Sequence, residues 1–409
     1  MPWDSQELKH VDVGIVAAVG FLLAVGLIAV YSATQSSSPA LANNFVKQVA
    51  FVFLGIIVLS VVVLMPMKWF RQYAYVFYSF ALGLLVLVLF FGTGQGSVHR
   101  WFVIGPIRFQ PSEIGKIATV FALARYLSEE KRNLSHPRDV LFALSIAGLP
   151  MLLVAKEPDL GTALVFAAIV LPMMFWAGLS LLSVFLFIAP IITLVSAFSF
   201  WSFTFAMLFI TAVLIVSKRG LRVIIPNFIL NVMVGILTPV LWGNLHEYQQ
   251  NRILTFLGLK QDPQGLGYQV LQSKVAIGSG GMWGKGWTHG TQTQLRFLPE
   301  QHTDFIFSVV GEEFGFLGVS LVLLAFFFLL WRSFNIAIEC RSKFASLVVV
   351  GAVVIIAFHV IINTGMTVGI MPVTGLPLPF LSYGGSALIS NMILIGLILN
   401  AGRSRFQYF

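Results

Sequence analysis

Carboxylates and cations are scarce in this chain, and the few that interrupt its apolar stretches are the candidates for chemistry. Charged residues make up 10% of the 409 positions, against 58% hydrophobic ones. Glu113 and Lys116 stand at i,i+3 in the run PSEIGK, on one helical face, so they can pair. Pro111 suits the first turn of that helix, and Glu113 suits the positive end of its dipole. Asp159, in KEPDLGT, enters an apolar run where a capping residue would stand. Asp304 opens another such run in HTDFIFSVVGEEFG, again where an N-cap would fit. Glu312 follows it about 80° round the helix, with Glu313 on the opposite side.

Arg108, Lys274, Lys285, Arg296 and His302 lie in the polar stretches near these acids. Acids alone would suggest cation or proton coupling, whereas acids among basic loop residues suggest a general base beside an anion site. A pyrophosphate carried on a lipid fits, because apolar grooves can hold the tail while cations hold the head. Metal binding ranks lower, since His289 and His302 lack a tight ligand spacing; an oxygen-liganded Mg²⁺ or Mn²⁺ stays open. His99 and His359 read as structural histidines, and His136 as a polar loop residue.

The elements that would position these groups are membrane helices. A mean hydropathy of +0.90 is too high for a water-soluble core. The hydrophobic content would fill roughly twelve helices of about 20 residues. Disorder, a secreted disulfide scaffold and an ordinary cytosolic enzyme are excluded, and the single Cys340 permits no internal disulfide. Twelve apolar stretches occur, near 13–33, 45–65, 72–92, 113–128, 139–156, 160–178, 180–200, 201–217, 222–243, 304–330, 345–369 and 380–401. The first reads as an anchor helix that is retained. With the N-terminus inside, Lys9, Lys68, Arg71, Lys131, Arg132, Arg138, Lys218, Arg219, Arg222, Arg332, Arg341, Lys343, Arg403 and Arg405 all fall on the cytoplasmic side. The net charge of +9 therefore reflects topology rather than nucleic-acid binding. The basic turn SKRGLR favours two helices in the unbroken apolar run before it. The same count puts the long polar loop near 243–303 outside, together with Glu113, Asp159 and Asp304. The chain is expected to be one all-α polytopic membrane domain over 1–409, with both termini cytoplasmic. GTGQG and GSGG lack the surroundings of a nucleotide cradle: the first is outside any βαβ unit, and Lys285 is followed by Gly286 where a P-loop needs Ser or Thr.

Four long motifs carry a resemblance. IGSGGMWGKGWTHGTQTQLRFLPEQHTDFIF (277–307), RWFVIGPIRFQPSEIGKI (100–117), EPDLGT (157–162) and MPVTGLPLPFLSYGGSAL (371–388) together resemble the signature of the SEDS family of cell-wall polymerases, in family order. The GTQTQLRFLPEQ stretch is closer to the elongation branch than to the division branch. The resemblance implies a peptidoglycan glycosyltransferase that polymerises lipid II on the outer face of the bacterial plasma membrane. It implies a class B penicillin-binding protein as transpeptidase partner, alongside membrane lipid and other elongation-complex proteins. It makes Asp304 the residue needed for catalysis and puts Glu113 and Lys116 in the same cavity. Family members usually have about ten helices, so the apolar residues around 181–222 amount to an extra pair.

Such a reaction displaces a lipid pyrophosphate by a sugar hydroxyl with single inversion, and requires a base and cations facing the leaving group. Asp304 is the expected base. Lys274, Arg296 and Arg108 are expected at the diphosphate, and His302, Glu312 and Asp159 along the cavity. The Gly-rich parts of the large loop are expected to let its backbone approach the substrate. LPLPF is expected to be rigid, and SYGGS to allow close helix packing. A lipid II flippase or another polytopic lipid transporter is the rival reading, weakened by the lack of related halves and by polar groups gathered at one face. A scaffold that only holds the transpeptidase is a third.

Overall fold

The computed structural model describes residues 11–35, 39–94, 100–105, 107–217, 220–244, 250–251, 254, 266–295 and 297–405. Lys9, His99, Lys218, Arg219 and Arg296 lie outside the described residues. Each of the twelve apolar stretches is a helix: α1 (Val13–Gln35), α2 (Pro39–Leu64), α3 (Met67–Phe91), α4 (Pro111–Ser128), α5 (Pro137–Lys156), α6 (Leu160–Trp176), α7 (Leu181–Ser196), α8 (Phe200–Val216), α9 (Leu221–Gly243), and the three closing helices below. The large loop contributes α10 (Leu266–Ser279) and the single turn α11 (Thr291–Gln294). The closing helices are α12 (Ile306–Glu339), α13 (Lys343–Thr367) and α14 (Gly385–Arg403). A small hairpin before α4, β1 (Phe102–Ile104) and β2 (Ile107–Phe109), pairs Val103 with Arg108.

Among the described residues, eight helices are long and apolar enough to cross a membrane, and α6, α7 and α8 are shorter apolar helices. Helix α4 is interrupted by Glu113, Lys116 and Arg125, yet almost all of its side chains are buried. It packs against α3, α5, α6, α13 and α14. A helix with polar groups at both ends is tolerated there because neighbouring helices, not lipid, surround it.

The helices fall into two compact units: residues 1–177 with 261–409, and residues 178–260. In the smaller unit α7 packs on α8 and α9. The Thr193 hydroxyl donates to Asn231 Oδ1 at 2.8 Å, and that asparagine's amide donates to Asn227. The unbroken apolar run parts at residues 197–199 into two helices of 16 and 17 residues, and SKRGLR follows the second in sequence.

In the larger unit, charges expected on the two sides separate. The basic residues gather where α3 and α13 begin and where α4 and α14 end. Glu113 stands at the other end of α4, and Asp304 precedes α12. Helix α12 breaks at Gly315 (φ 64°, ψ −162°), and the Gly-rich stretch of the large loop docks into the break. Lys285 and Gly286 donate backbone N–H groups to the carbonyls of Glu312 and Glu313, at 3.0 and 3.1 Å. Phe316 and Leu317 donate in return to the carbonyls of Gly281 and Met282. A methyl on Gly284 would meet the Glu313 carbonyl, so these glycines bring the loop backbone against the helix backbone. The expected approach to substrate is thus spent on α12.

Candidate active site

The first turn of α4 fixes a buried ion pair. Gln110 is its N-cap, with Pro111 in the first turn, and Lys116 Nζ lies 2.8 Å from Glu113 Oε1. Both residues are buried. The same ammonium lies 3.2 Å from His359 Nε2, and His359 Nδ1 lies 3.2 Å from the Pro377 carbonyl oxygen. A carbonyl only accepts and an ammonium only donates, so Nδ1 carries the hydrogen and Nε2 receives one. A neutral His359 therefore ties the ion pair to the proline-rich segment before α14, and serves as more than a packing histidine.

One turn along α13, Asn363 continues the tie. Its amide nitrogen donates to the Leu376 carbonyl at 2.8 Å and to the Asp304 carbonyl at 2.9 Å. Ser382 donates to the Thr303 carbonyl at 2.6 Å and accepts from the Leu378 N–H at 2.8 Å, while Tyr383 N–H donates to the His302 carbonyl. The backbone of 302–304 is therefore clamped by α13 and by residues 376–383. That segment is itself seated by close approach. A methyl on Gly26 would collide with the backbone of Phe380 and Leu381, and one on Gly161 would come within 2.7 Å of the Thr374 carbonyl. Phe305, not Asp304, is the N-cap residue of α12. The Asp304 side chain is half-buried, and Oδ2 lies 3.5 Å from where a Cβ on Gly375 would stand.

Exposed cations lie on elements neighbouring this turn. Arg108, exposed on β2, lowers the pKa of Tyr383 by its charge, against a larger upward push from burial of the phenol. The Tyr383 ring lies beside the His302 imidazole, centroids 5.6 Å apart. Burial holds His302 below the ordinary histidine range, and Glu300 partly offsets it. Lys274 is exposed on α10, and its side chain fills the space beside Gly369 at the end of α13. Ser273 anchors that helix by donating to the Thr367 carbonyl at 2.6 Å. Val270 and Phe305 join one apolar cluster with Met366 and Val373, which brings α10 against the Asp304 turn.

Glu312 and Asp159 have other work. Glu312 is fully buried and accepts from Lys285 Nζ (2.8 Å), the N–H groups of Gln292 and Thr293 (2.9 and 3.0 Å), and the hydroxyls of Thr291 and Thr293. It clasps the GTQTQ turn, and Lys285 is committed with it. Asp159 caps α6, accepting from the Thr162 N–H and hydroxyl, and receives the Gln110 amide at 3.3 Å. Beside it Glu157 is buried, and neither of its carboxylate oxygens is hydrogen-bonded among the described residues. Burial first, then Asp159, pushes its pKa up to about 8, opposed by Arg100.

The residues that sequence reasoning undervalued are His359, Asn363 and Ser382. A usable signal existed: two polar side chains at i,i+4 interrupt an otherwise apolar span, and such residues face a protein interior. Among the described residues, no group of three or more His, Cys, Asp or Glu side chains converges to hold a metal ion.

A half-buried carboxylate with its backbone fixed from two directions, and exposed cations on neighbouring elements, is a frame for general-base chemistry on an anionic substrate. Comparison with known proteins agrees in kind. The family model described as cell cycle protein, for FtsW, RodA and SpoVE, matches residues 13–207 and 202–407. The chain is 34% identical over 401 residues to the peptidoglycan glycosyltransferase MrdB of Escherichia coli K12, covering 97% of this chain and 94% of MrdB. Its fold is similar to a chain from a peptidoglycan synthase complex that coordinates polymerization and crosslinking, with TM-score 0.74, 30% identity, and coverage of 97% here and 99% there. The crystal structure of the rod shape determining protein RodA of Thermus thermophilus aligns with TM-score 0.62 at 27% identity, covering 97% of this chain and 98% of that one.

Proposed function

Because the chain belongs to the FtsW, RodA and SpoVE family, we propose that it is a peptidoglycan glycosyltransferase of the RodA branch, polymerising lipid II at the outer face of the bacterial plasma membrane. In this reading the chain acts as one multi-pass membrane domain with both termini cytoplasmic, and the 243–303 loop and the Asp304 turn face outward. Asp304 takes the proton from the acceptor sugar hydroxyl as that oxygen attacks the donor's anomeric carbon. The bond from that carbon to the lipid diphosphate breaks, the configuration inverts once, and the diphosphate leaves with its electron pair. A base within about 3 Å of the hydroxyl is required. Exposed Arg108 and Lys274 are the cations suited to the diphosphate, with Arg296 from outside the described residues. Buried Lys116 acts through His359 as a positioning residue.

The observation that carries the reading is the clamp on 302–304: Asn363 links the Asp304 carbonyl to the segment that His359 links to Lys116 and Glu113. A carboxylate that serves as base gains from such preorganisation, because its geometry is settled before the substrate arrives. A class B penicillin-binding protein is the proposed transpeptidase partner, as suits the likeness to a synthase complex that couples polymerization with crosslinking.

Polymer formation from purified lipid II, with and without that partner, is the test. Asp304→Asn is expected to fold and make no polymer. Normal polymerisation by that variant would remove Asp304 as the base. Transfer of labelled lipid II between vesicle leaflets without polymer would instead assign transport.

A further inference from the structure

The charge opposite the Asp304 turn has a shape of its own. Helix α4 ends at Ser128, about 22 Å along the axis from Glu113, and α13 begins at Lys343, about 24 Å from His359. At that far end a cavity of about 700 Å³ opens, lined by Arg71, Lys131, Arg341 and Lys343 and by the acids Glu129 and Glu130. A smaller hollow of about 250 Å³ shares Arg71 and Glu129 and adds Lys68 and Arg125. Glu129 already faces Arg132 at 3.1 Å. Cations therefore outnumber acids around this pair of hollows.

Membrane topology accounts for the sign of these residues but not for their convergence. Loop cations satisfy the orientation rule wherever they point. Here they come from the start of α3, the end of α4 and the α12–α13 turn, and they face one space, where mutual repulsion favours an anion between them. Trp69 and Tyr73, on the α3 turn with Lys68 and Arg71, are 50% and 45% exposed. Aromatic side chains of this kind sit at headgroup level. We infer that this cavity binds the phosphate-bearing headgroup of an anionic phospholipid. The pocket between membrane helices suits that chemistry, which a free phosphate shares. This inference does not rest on the role given to Asp304.

The test uses the full chain in detergent after delipidation, titrated with short-chain phosphatidylglycerol, with phosphatidylcholine of the same chains, and with inorganic phosphate, binding being read by native mass spectrometry. Phosphatidylglycerol is expected to bind at least tenfold more tightly than phosphatidylcholine. Lys131→Gln/Lys343→Gln is expected to weaken it roughly 25-fold, at about fivefold per basic residue. Both lysines are exposed, so the unfolding midpoint should not move. Lys68→Gln, in the adjoining hollow, supplies an independent second variant with a smaller loss. Equal binding of the two lipids, or unweakened binding by the double variant, overturns the proposal. Displacement of phosphatidylglycerol by inorganic phosphate at equal concentration overturns the lipid assignment and leaves a free phosphate as the ligand.

Discussion

Replacing Lys116 by methionine leaves the Glu113 carboxylate buried and without its 2.8 Å partner. Removing one member of a buried ion pair costs about 3–5 kcal/mol, mostly because the remaining charge has lost its compensation. The same change takes the donor from His359 Nε2, and an unsatisfied buried acceptor adds about 1–3 kcal/mol. Glu113→Leu strands the ammonium and should cost a similar 3–5 kcal/mol. In Glu113→Leu/Lys116→Met no charge remains to be desolvated, so only the histidine's loss of about 1–3 kcal/mol should persist. The double variant is thus expected to be more stable than either single one. Denaturant titration of the purified protein in detergent micelles measures this, read beside polymerisation of lipid II. Polymerisation should stay low in the two variants that lack Lys116, because there His359 has lost its anchor and the 376–383 segment loosens. A double variant that loses as much stability as the two single ones together would refute the account of the pair. Full activity in the double variant would refute its positioning role.

Other outcomes follow from the same geometry. Asn363→Leu removes both hydrogen bonds that join Asp304 to residue 376, so kcat for polymerisation should fall at least tenfold with a destabilisation of about 1–3 kcal/mol; unchanged kcat would show that the clamp is dispensable. Glu312→Ala strands two backbone N–H groups and Lys285, and hydrogen exchange over 285–294 should accelerate while α12 keeps its protection. Glu157 titrates near 8 when folded against an ordinary carboxyl value when unfolded, so the folded state holds the extra proton between those values and stability should fall as pH rises from about 4.5 to 8. Glu157→Gln should flatten that slope and stabilise the protein at pH 8 and above; an unaltered pH profile of the unfolding midpoint would show that Glu157 is not protonated. Gly26→Val should push Phe380 and Leu381 off α1 and reduce polymer yield, with a gain in activity counting against the close approach.

The helices were legible because lipid is a simple solvent. Every backbone polar group must be satisfied within its own segment, so apolar runs become helices wherever they are long enough. All twelve runs did so, and the longest one, which the basic SKRGLR follows in sequence, is two helices that part at the uncharged residues 197–199. The Glu113–Lys116 pair was equally readable, since an i,i+3 spacing on a helix needs no other part of the chain. Capping by Asp159 was one of its two readings for the same local reason.

What the tertiary structure alone decided is which polar groups meet across long stretches of sequence. Glu312 lay on the helical face expected to reach the cavity, yet the GTQTQ turn some twenty residues earlier consumes all its hydrogen-bonding capacity. The glycines around residue 284 looked suited to a substrate and instead meet the backbone of a broken helix. His359 looked like a structural histidine in an apolar span until packing set it against Lys116, and packing likewise set Asn363, four residues on, against the Asp304 turn. Periodicity encodes which face of a helix is buried; it does not encode the partner on the other side, because that contact depends on how separate helices dock, and no local spacing carries that information.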